Sequence, residues 1–160
     1  MKAIAKFLTV ITVLVLLAGA YVVRASQLKI LPASGLVESA ADRAQAFESI
    51  IASARVGSDE LAVYSDGLPL NPEQYVFVTY TVKLRNLNAL PAEWMELSLS
   101  PQPEDILLVK ATVKDVPAFS EQLVTIVLLT DRATASYARS AELTYYVYGH
   151  EITLPVRLTV

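Results

Sequence analysis

The chain has 160 residues, room for one domain plus an anchoring or targeting segment, with 54% hydrophobic residues, no cysteine and a net charge of −3. The missing cysteines exclude disulfides, thiolate catalysis and cysteine–zinc sites. All 16 acidic residues follow residue 23, with only 11 of the 13 basic ones, so the bulk of the chain is acidic and no nucleic-acid partner is expected.

Residues 1–6 form a short basic start with Lys2 and Lys6, and residues 7–23 then run without a charge up to Arg24. As a helix this run spans roughly 26 Å, near the lower limit for a bilayer core of about 30 Å. Leu, Ile and Val surround every face, which argues against a cytoplasmic core helix. The run therefore reads as a single-pass transmembrane anchor and signal anchor. The amino terminus is expected inside, and the rest of the chain extracytoplasmic. The alternative is a secreted protein released by cleavage near Ala20, because Ala18-Gly19-Ala20 fits a small-x-small site. Lipidation there is excluded, since Ala20 stands where a lipoprotein box needs cysteine.

Residues 24–35, with Pro32, Ser34 and Gly35, read as a linker. Residues 36–57 read as a juxtamembrane amphipathic helix. Val37, Ala40, Ala44, Phe47, Ile51 and Ala54 recur at steps of three and four, Ser34 stands as N-cap, and Gly57 falls at the C-terminal cap. Either this helix packs on its own domain, or Phe47 forms part of an interaction surface.

From Glu60 the period becomes two, and residues 58–160 read as one all-β domain. About seven strands are expected, near 60–65, 75–86, 93–100, 106–114, 121–130, 140–148 and 151–159. Met95, Leu97 and Leu99 mark one core face; Leu107, Val109, Ala111 and Val113 mark another, with Leu108 interrupting the outer side. Residues 123–130 are apolar on both faces and read as a central or doubly covered strand. A two-residue type II′ turn at Gly149-His150 would set Val147 against Ile152, Tyr145 against Leu154 and Glu142 against Arg157.

Seven alternating strands without intervening helices fit an antiparallel, immunoglobulin-like β-sandwich. In architecture only, residues 58–160 resemble the small extracytoplasmic immunoglobulin-like domains of bacterial envelope proteins. They depart from true immunoglobulin domains by lacking both cysteines and by placing Trp94 at a strand start. No residue roles come with this resemblance.

Catalytic machinery is sparse. His150, the only histidine, is expected at an exposed hairpin tip. The acidic pairs Asp59-Glu60, Glu93 with Glu96, and Glu104-Asp105 read as solvated loop residues. The sequence thus carries no expected catalytic, cofactor or metal site, and it points to no enzyme. The candidate interaction surface comprises Tyr137, Tyr146, Tyr148, Trp94 and Phe47, since aromatic side chains on a non-core face favour binding. The expected function is a membrane-anchored interaction or scaffolding module, an accessory subunit of an envelope complex, with an unknown protein partner. The alternative is a secreted carbohydrate- or small-ligand-binding domain.

Overall fold

The computed structural model describes residues 2–25, 28–65, 67–68, 71–111 and 115–160. The chain begins with helix α1 (Lys2–Ala25), whose side chains are described at residues 4 and 6–21. Among the described residues no helix is long and apolar enough to cross a membrane. The expected anchor at 7–23 ends on residues 22 and 23, whose side chains lie outside those described.

The rest is an all-β sandwich of two antiparallel sheets, built from ten strands among the described residues. One sheet contains β1 (Lys29–Ile30), β2 (Ser34–Ser39), β3 (Leu61–Val63), β4 (Tyr75–Arg85), β6 (Asp105–Val109) and β8 (Glu121–Asp131), in the order β1-β4-β8-β6-β3, with β2 also on β4. The other has the order β10-β9-β5-β7, with β5 (Ala92–Leu99), β7 (Asp115–Val116), β9 (Arg139–Val147) and β10 (His150–Leu158). Seven of these strands are the expected ones; β1, β2 and β7 are additional.

The expected linker is partly strand. Lys29 pairs with Arg85 and Ser34 with Thr81, so β1 and β2 are one edge strand carrying one extra residue around Pro32. Proline lacks the N–H that a central strand needs, but it is tolerated at an edge or bulge. The expected helix 36–57 is correspondingly shorter. Residues 36–39 belong to β2, and helix α2 is Ala44–Val56, with Arg43 rather than Ser34 at its N-cap and Gly57 capping it at φ 82°. Gly35 is also needed for close approach, because a β-carbon there would meet the Thr159 carbonyl oxygen at 2.8 Å.

Two apolar cores follow. Between the sheets lie Val78, Tyr80 and Val82 of β4, Ile126 and Leu128 of β8, and Met95, Leu97, Leu143 and Tyr145 opposite. On the other face of the larger sheet, Phe47 and Ile51 of α2 bury Phe77, Leu107 and Leu129. This second core inverts the expected facing of β6: Leu108 points between the sheets and Leu107 lies under α2. It also explains why the end of β8 is apolar on both sides. Leu123, near its start, is exposed.

The β9–β10 hairpin has the expected faces but not the expected register. Val147 pairs with His150, Tyr145 with Ile152, Thr144 with Thr153 and Glu142 with Pro155. The turn is Tyr148-Gly149, with φ 53° and 72°, as a type I′ turn requires at both central positions. Moving the turn by one residue shifts the pairing by two, which leaves each side chain on its original face. The Glu142–Arg157 pair is replaced by a Tyr146 hydroxyl donating to Glu151 Oε2 at 2.7 Å and by a Thr144–Thr153 hydroxyl contact at 3.2 Å.

Across the sandwich, Arg139 at the start of β9 meets Asp105 at the start of β6, both fully buried. Arg139 Nη2 donates to Oδ1 at 2.8 Å and Nε to Oδ2 at 3.1 Å. Nη1 donates to the Tyr137 carbonyl at 3.0 Å, and Asp105 Oδ2 also accepts from the Gln102 amide at 2.8 Å. Asp105 is therefore not the solvated loop acid expected.

Two predictions follow from this geometry. Because the chain has no cysteine, Thr144→Cys with Thr153→Cys should form a disulfide on mild oxidation, whereas Glu142→Cys with Arg157→Cys should not; the reverse result would restore the type II′ register. Asp105→Asn should lower unfolding stability in urea by about 3–5 kcal/mol, because it leaves a buried guanidinium without its counter-charge. A loss below about 1 kcal/mol, the range of exposed pairs, would show that the pair is not buried in solution.

Candidate interaction surface

The strand directions give the sandwich two distinct ends. At one end lie the starts of β4, β6 and β9 with the Arg139–Asp105 pair. At the other lie the end of β4, the starts of β5 and β8, and the β9–β10 turn. The chain enters from α1 at this second end: Leu28 is buried and its amide donates to the Tyr145 hydroxyl at 2.9 Å.

Two loops at this end are fixed by Asn86, which is buried. Its side-chain amide donates to the carbonyls of Leu90 at 2.8 Å and of Val116 and Pro117 at 3.1 Å, and its Oδ1 accepts from the Asn88 amide. The Phe119 amide in turn donates to the Asn88 carbonyl at 3.2 Å. Beside these loops Glu121 accepts from Lys83 and Arg85. Those hydrogen bonds, first from Lys83 and then from Arg85, hold its carboxyl below the usual range.

Trp94 stands next to this end because of a bulge in β5. Glu93 pairs with Tyr146 and Glu96 with Thr144, so Trp94 and Met95 together oppose Tyr145. Ala92 and Met95 are both buried while Glu93 and Trp94 are both exposed, an arrangement that simple alternation forbids and one extra residue permits. Trp94, Glu93, Glu96, Tyr146 and Gly149 line a shallow depression of about 560 Å³ on the outer face of the smaller sheet.

Trp94, Phe119 and Tyr148 have φ of 51°, 53° and 53°, and no other non-glycine residue described has a positive φ. All three are aromatic, with exposures of 77%, 73% and 78%. Left-handed backbone costs a bulky residue roughly 1–2 kcal/mol, so each position would be served more cheaply by Gly or Asn.

Of the sequence-predicted surface, the structure brings together Trp94, Tyr146 and Tyr148. Tyr137 is exposed but lies near the start of β9, at the opposite end, roughly 30 Å away along nine residues. Phe47 is a correction: its side chain is 4% exposed and belongs to the core under α2. That helix covers the larger sheet, so the outer face bearing Tyr146 is not beneath it. Phe119 and the exposed Leu87 were not identified from sequence, because strand alternation carries no information about turn residues. His150 is exposed but pairs with Val147 as the first residue of β10 rather than forming the turn. Of the acidic pairs, Glu93 and Glu96 share the depression, whereas Asp105 is held by Arg139. Among the described residues no group of three or more His, Asp or Glu could hold a metal ion.

No protein-family model and no curated protein matches the chain. Among solved structures it is similar to the GAE domain of yeast GGA1, at 11% identity and a TM-score of 0.43, over 64% of this chain and 93% of that one. It is similar to the GAE domain of GGA2p from Saccharomyces cerevisiae at 9% identity and the same TM-score, over 64% and 91%. A FixG-related protein from Vibrio parahaemolyticus is similar over 81% of this chain and 96% of its own, at 15% identity and a TM-score of 0.34. The resemblance is one of architecture, and no functional family is identified.

The Tyr146–Glu151 pair gives a pH test. The hydrogen bond to Glu151, then its charge, raises the Tyr146 phenol above its ordinary value. Its stabilising contribution is therefore complete below the ordinary tyrosine pKa and disappears as pH rises through the raised folded value. Tyrosine Cζ NMR titration should find Tyr146 ionising above the ordinary tyrosine value, and Glu151→Gln should bring it down. An unchanged midpoint in that variant would show that the hydrogen bond does not persist in solution.

Proposed function

We propose that the chain is a membrane-anchored, non-catalytic interaction module, held by residues 7–23, with its sandwich on the extracytoplasmic side and a protein partner at the membrane. The observation that carries this reading is the exposure of α1. Every described side chain on it is exposed, including Phe7, Leu8, Leu14, Val15, Leu16 and Leu17. An apolar helix whose described side chains are all exposed favours an apolar surrounding.

The helical backbone of 24 residues extends about 36 Å against a hydrocarbon core of about 30 Å, although its described side chains alone do not make a span long and apolar enough to cross a membrane. The Thr12 Oγ1 bond to the Leu8 carbonyl at 3.0 Å is internal to the helix, as a lipid setting demands. Positive charges nearly balance across the run, Lys2 and Lys6 against Arg24 and Lys29; the signal-like order of a basic start before an apolar stretch favours an inside amino terminus. The smaller sheet leaves an outer face open for binding, and the aromatic groups on it are the residue types that interfaces favour.

The depression lined by Trp94 and Tyr146 supports a second reading, in which a sandwich released near Ala20 binds a carbohydrate or small ligand by aromatic stacking. Expression of the full chain in a bacterium, followed by flotation and intact-mass measurement, separates the two. The anchored module should float with membranes at uncleaved mass. A soluble product lacking its first 20 or so residues would replace it with the second reading.

A further inference from the structure

We infer that the sandwich end carrying Trp94, Phe119 and Tyr148 docks on the lipid–water interface of the bilayer that holds α1. The inference rests on the anchored reading above.

The first argument is chain length. α1 ends at Ala25, and Leu28 is already buried in the sandwich. Three peptide steps of 3.80 Å cannot exceed about 11 Å. β1 then starts at Lys29 opposite Arg85, so the end bearing the Asn86 loops and the β9–β10 turn is the one tethered closest to the helix. The Arg139–Asp105 end is separated from it by the full length of β4 and β8.

The second argument is that the fold does not require these aromatics. Each occupies a left-handed position suited to Gly or Asn, and each points into solvent. Trp94 is moreover the extra residue of a bulge: without it, Ala92 and the three inward residues that follow would alternate regularly along β5. Strained, exposed residues of one chemical type at one end point to a use outside the fold.

The third argument is chemical. Tryptophan and tyrosine concentrate where apolar and aqueous phases meet, because an apolar ring and a polar edge suit that boundary. Phe119 and the exposed Leu87 add purely apolar contact on the clamped loops. Charges nearby are mixed: Lys29, Lys83 and Arg85 stand with Glu121, while Glu93, Glu96 and Glu151 flank Trp94. With Asp115 beside the Trp94 amide this end is net acidic, which suits a zwitterionic surface reached through aromatic insertion and gives no attraction to anionic lipid.

Trp94 is the only tryptophan in the chain, so intrinsic fluorescence reports on it alone. The full chain would be reconstituted in phosphatidylcholine vesicles with and without brominated acyl chains, and each sample floated before measurement. In the floating fraction, docking predicts blue-shifted Trp94 emission, loss of most intensity to brominated lipid and protection from aqueous iodide. Combining Phe119→Ser with Tyr148→Asn should restore iodide quenching while the chain still floats and circular dichroism still reports the sandwich. If the chain floats but Trp94 is quenched by iodide and not by brominated lipid, docking is wrong and the anchor reading stands. If the chain does not float at all, both fall together. An iodide-accessible Trp94 in vesicles, with a cross-linker at Tyr148→Cys capturing one membrane protein in native membranes, would replace the lipid by a protein occupant.

Discussion

Arg139 and Asp105 join the two sheets from the interior, and much of the arrangement depends on that contact. A guanidinium and a carboxylate removed from water are tolerated only when both are fully hydrogen-bonded. Here Nε and Nη2 reach the carboxylate, Nη1 reaches the Tyr137 carbonyl, and the Gln102 amide takes the remaining carboxylate position. Sliding β9 against β6 by even one residue would break this set and leave a charge unpaired in the core. The pair thus adds little net stability over an apolar substitute, but it penalises alternative alignments of the sheets. It also closes its own end of the sandwich, where the strand-ending loops are drawn onto Arg139 and Thr130.

Helix α2 makes the two sheets unequal. By covering Phe77, Leu107 and Leu129 it buries a second face of the larger sheet, which becomes the rigid middle layer. Among the described residues the smaller sheet has no such cover. Along β5, Glu93, Trp94, Glu96 and Ser98 face outward while Met95, Leu97 and Leu99 are buried. The exposed aromatics Trp94, Phe119 and Tyr148 are concentrated on or beside this open sheet, at the end opposite the ion pair. Asn86 fills the equivalent role there with neutral groups, holding two loops through the carbonyls of Leu90, Val116 and Pro117.

What could be read in the sequence follows from the range of each signal. Alternation is local, so it placed Leu143, Tyr145 and Val147 on the core side and Tyr146 on the outer side. It was blind to a register error of two, which preserves every facing. For β6 it allowed one buried side, so Leu107 was placed on a core face, where it is buried, but Leu108 was left on the outer side, although α2 gives this strand a second core. Pro32 and Gly35 read as breakers because an edge strand tolerates what a central strand does not. Phe47 was placed on the apolar side of its helix, yet its partners Phe77 and Leu129 come from distant strands. Asp105 looked like a solvated loop acid because Arg139 lies 34 residues away. Tyr146 and Trp94 were found by facing alone. Phe119 was missed because a turn has no period to betray it.

The bulge at Trp94 shows how a residue can be foreign to a strand yet compatible with it. In Ala92-Glu93-Trp94-Met95, the two buried residues are three apart, and an unbroken strand would turn either Ala92 or the Met95, Leu97 and Leu99 set toward water. Losing the burial of three such side chains would cost several kcal/mol at about 1.5–3 kcal/mol each. The left-handed backbone at Trp94 costs roughly 1–2 kcal/mol, less than exposing that set, and the bulge keeps Ala92 buried as well. The Trp94 amide, facing Asp115 Oδ1 at 3.4 Å, still has an acceptor nearby. The indole is then carried outward beside Tyr146 by the same kink that keeps the core intact. Core packing therefore enforces the exposure of Trp94: any relaxation that turned the ring inward would have to expel Met95 and its neighbours.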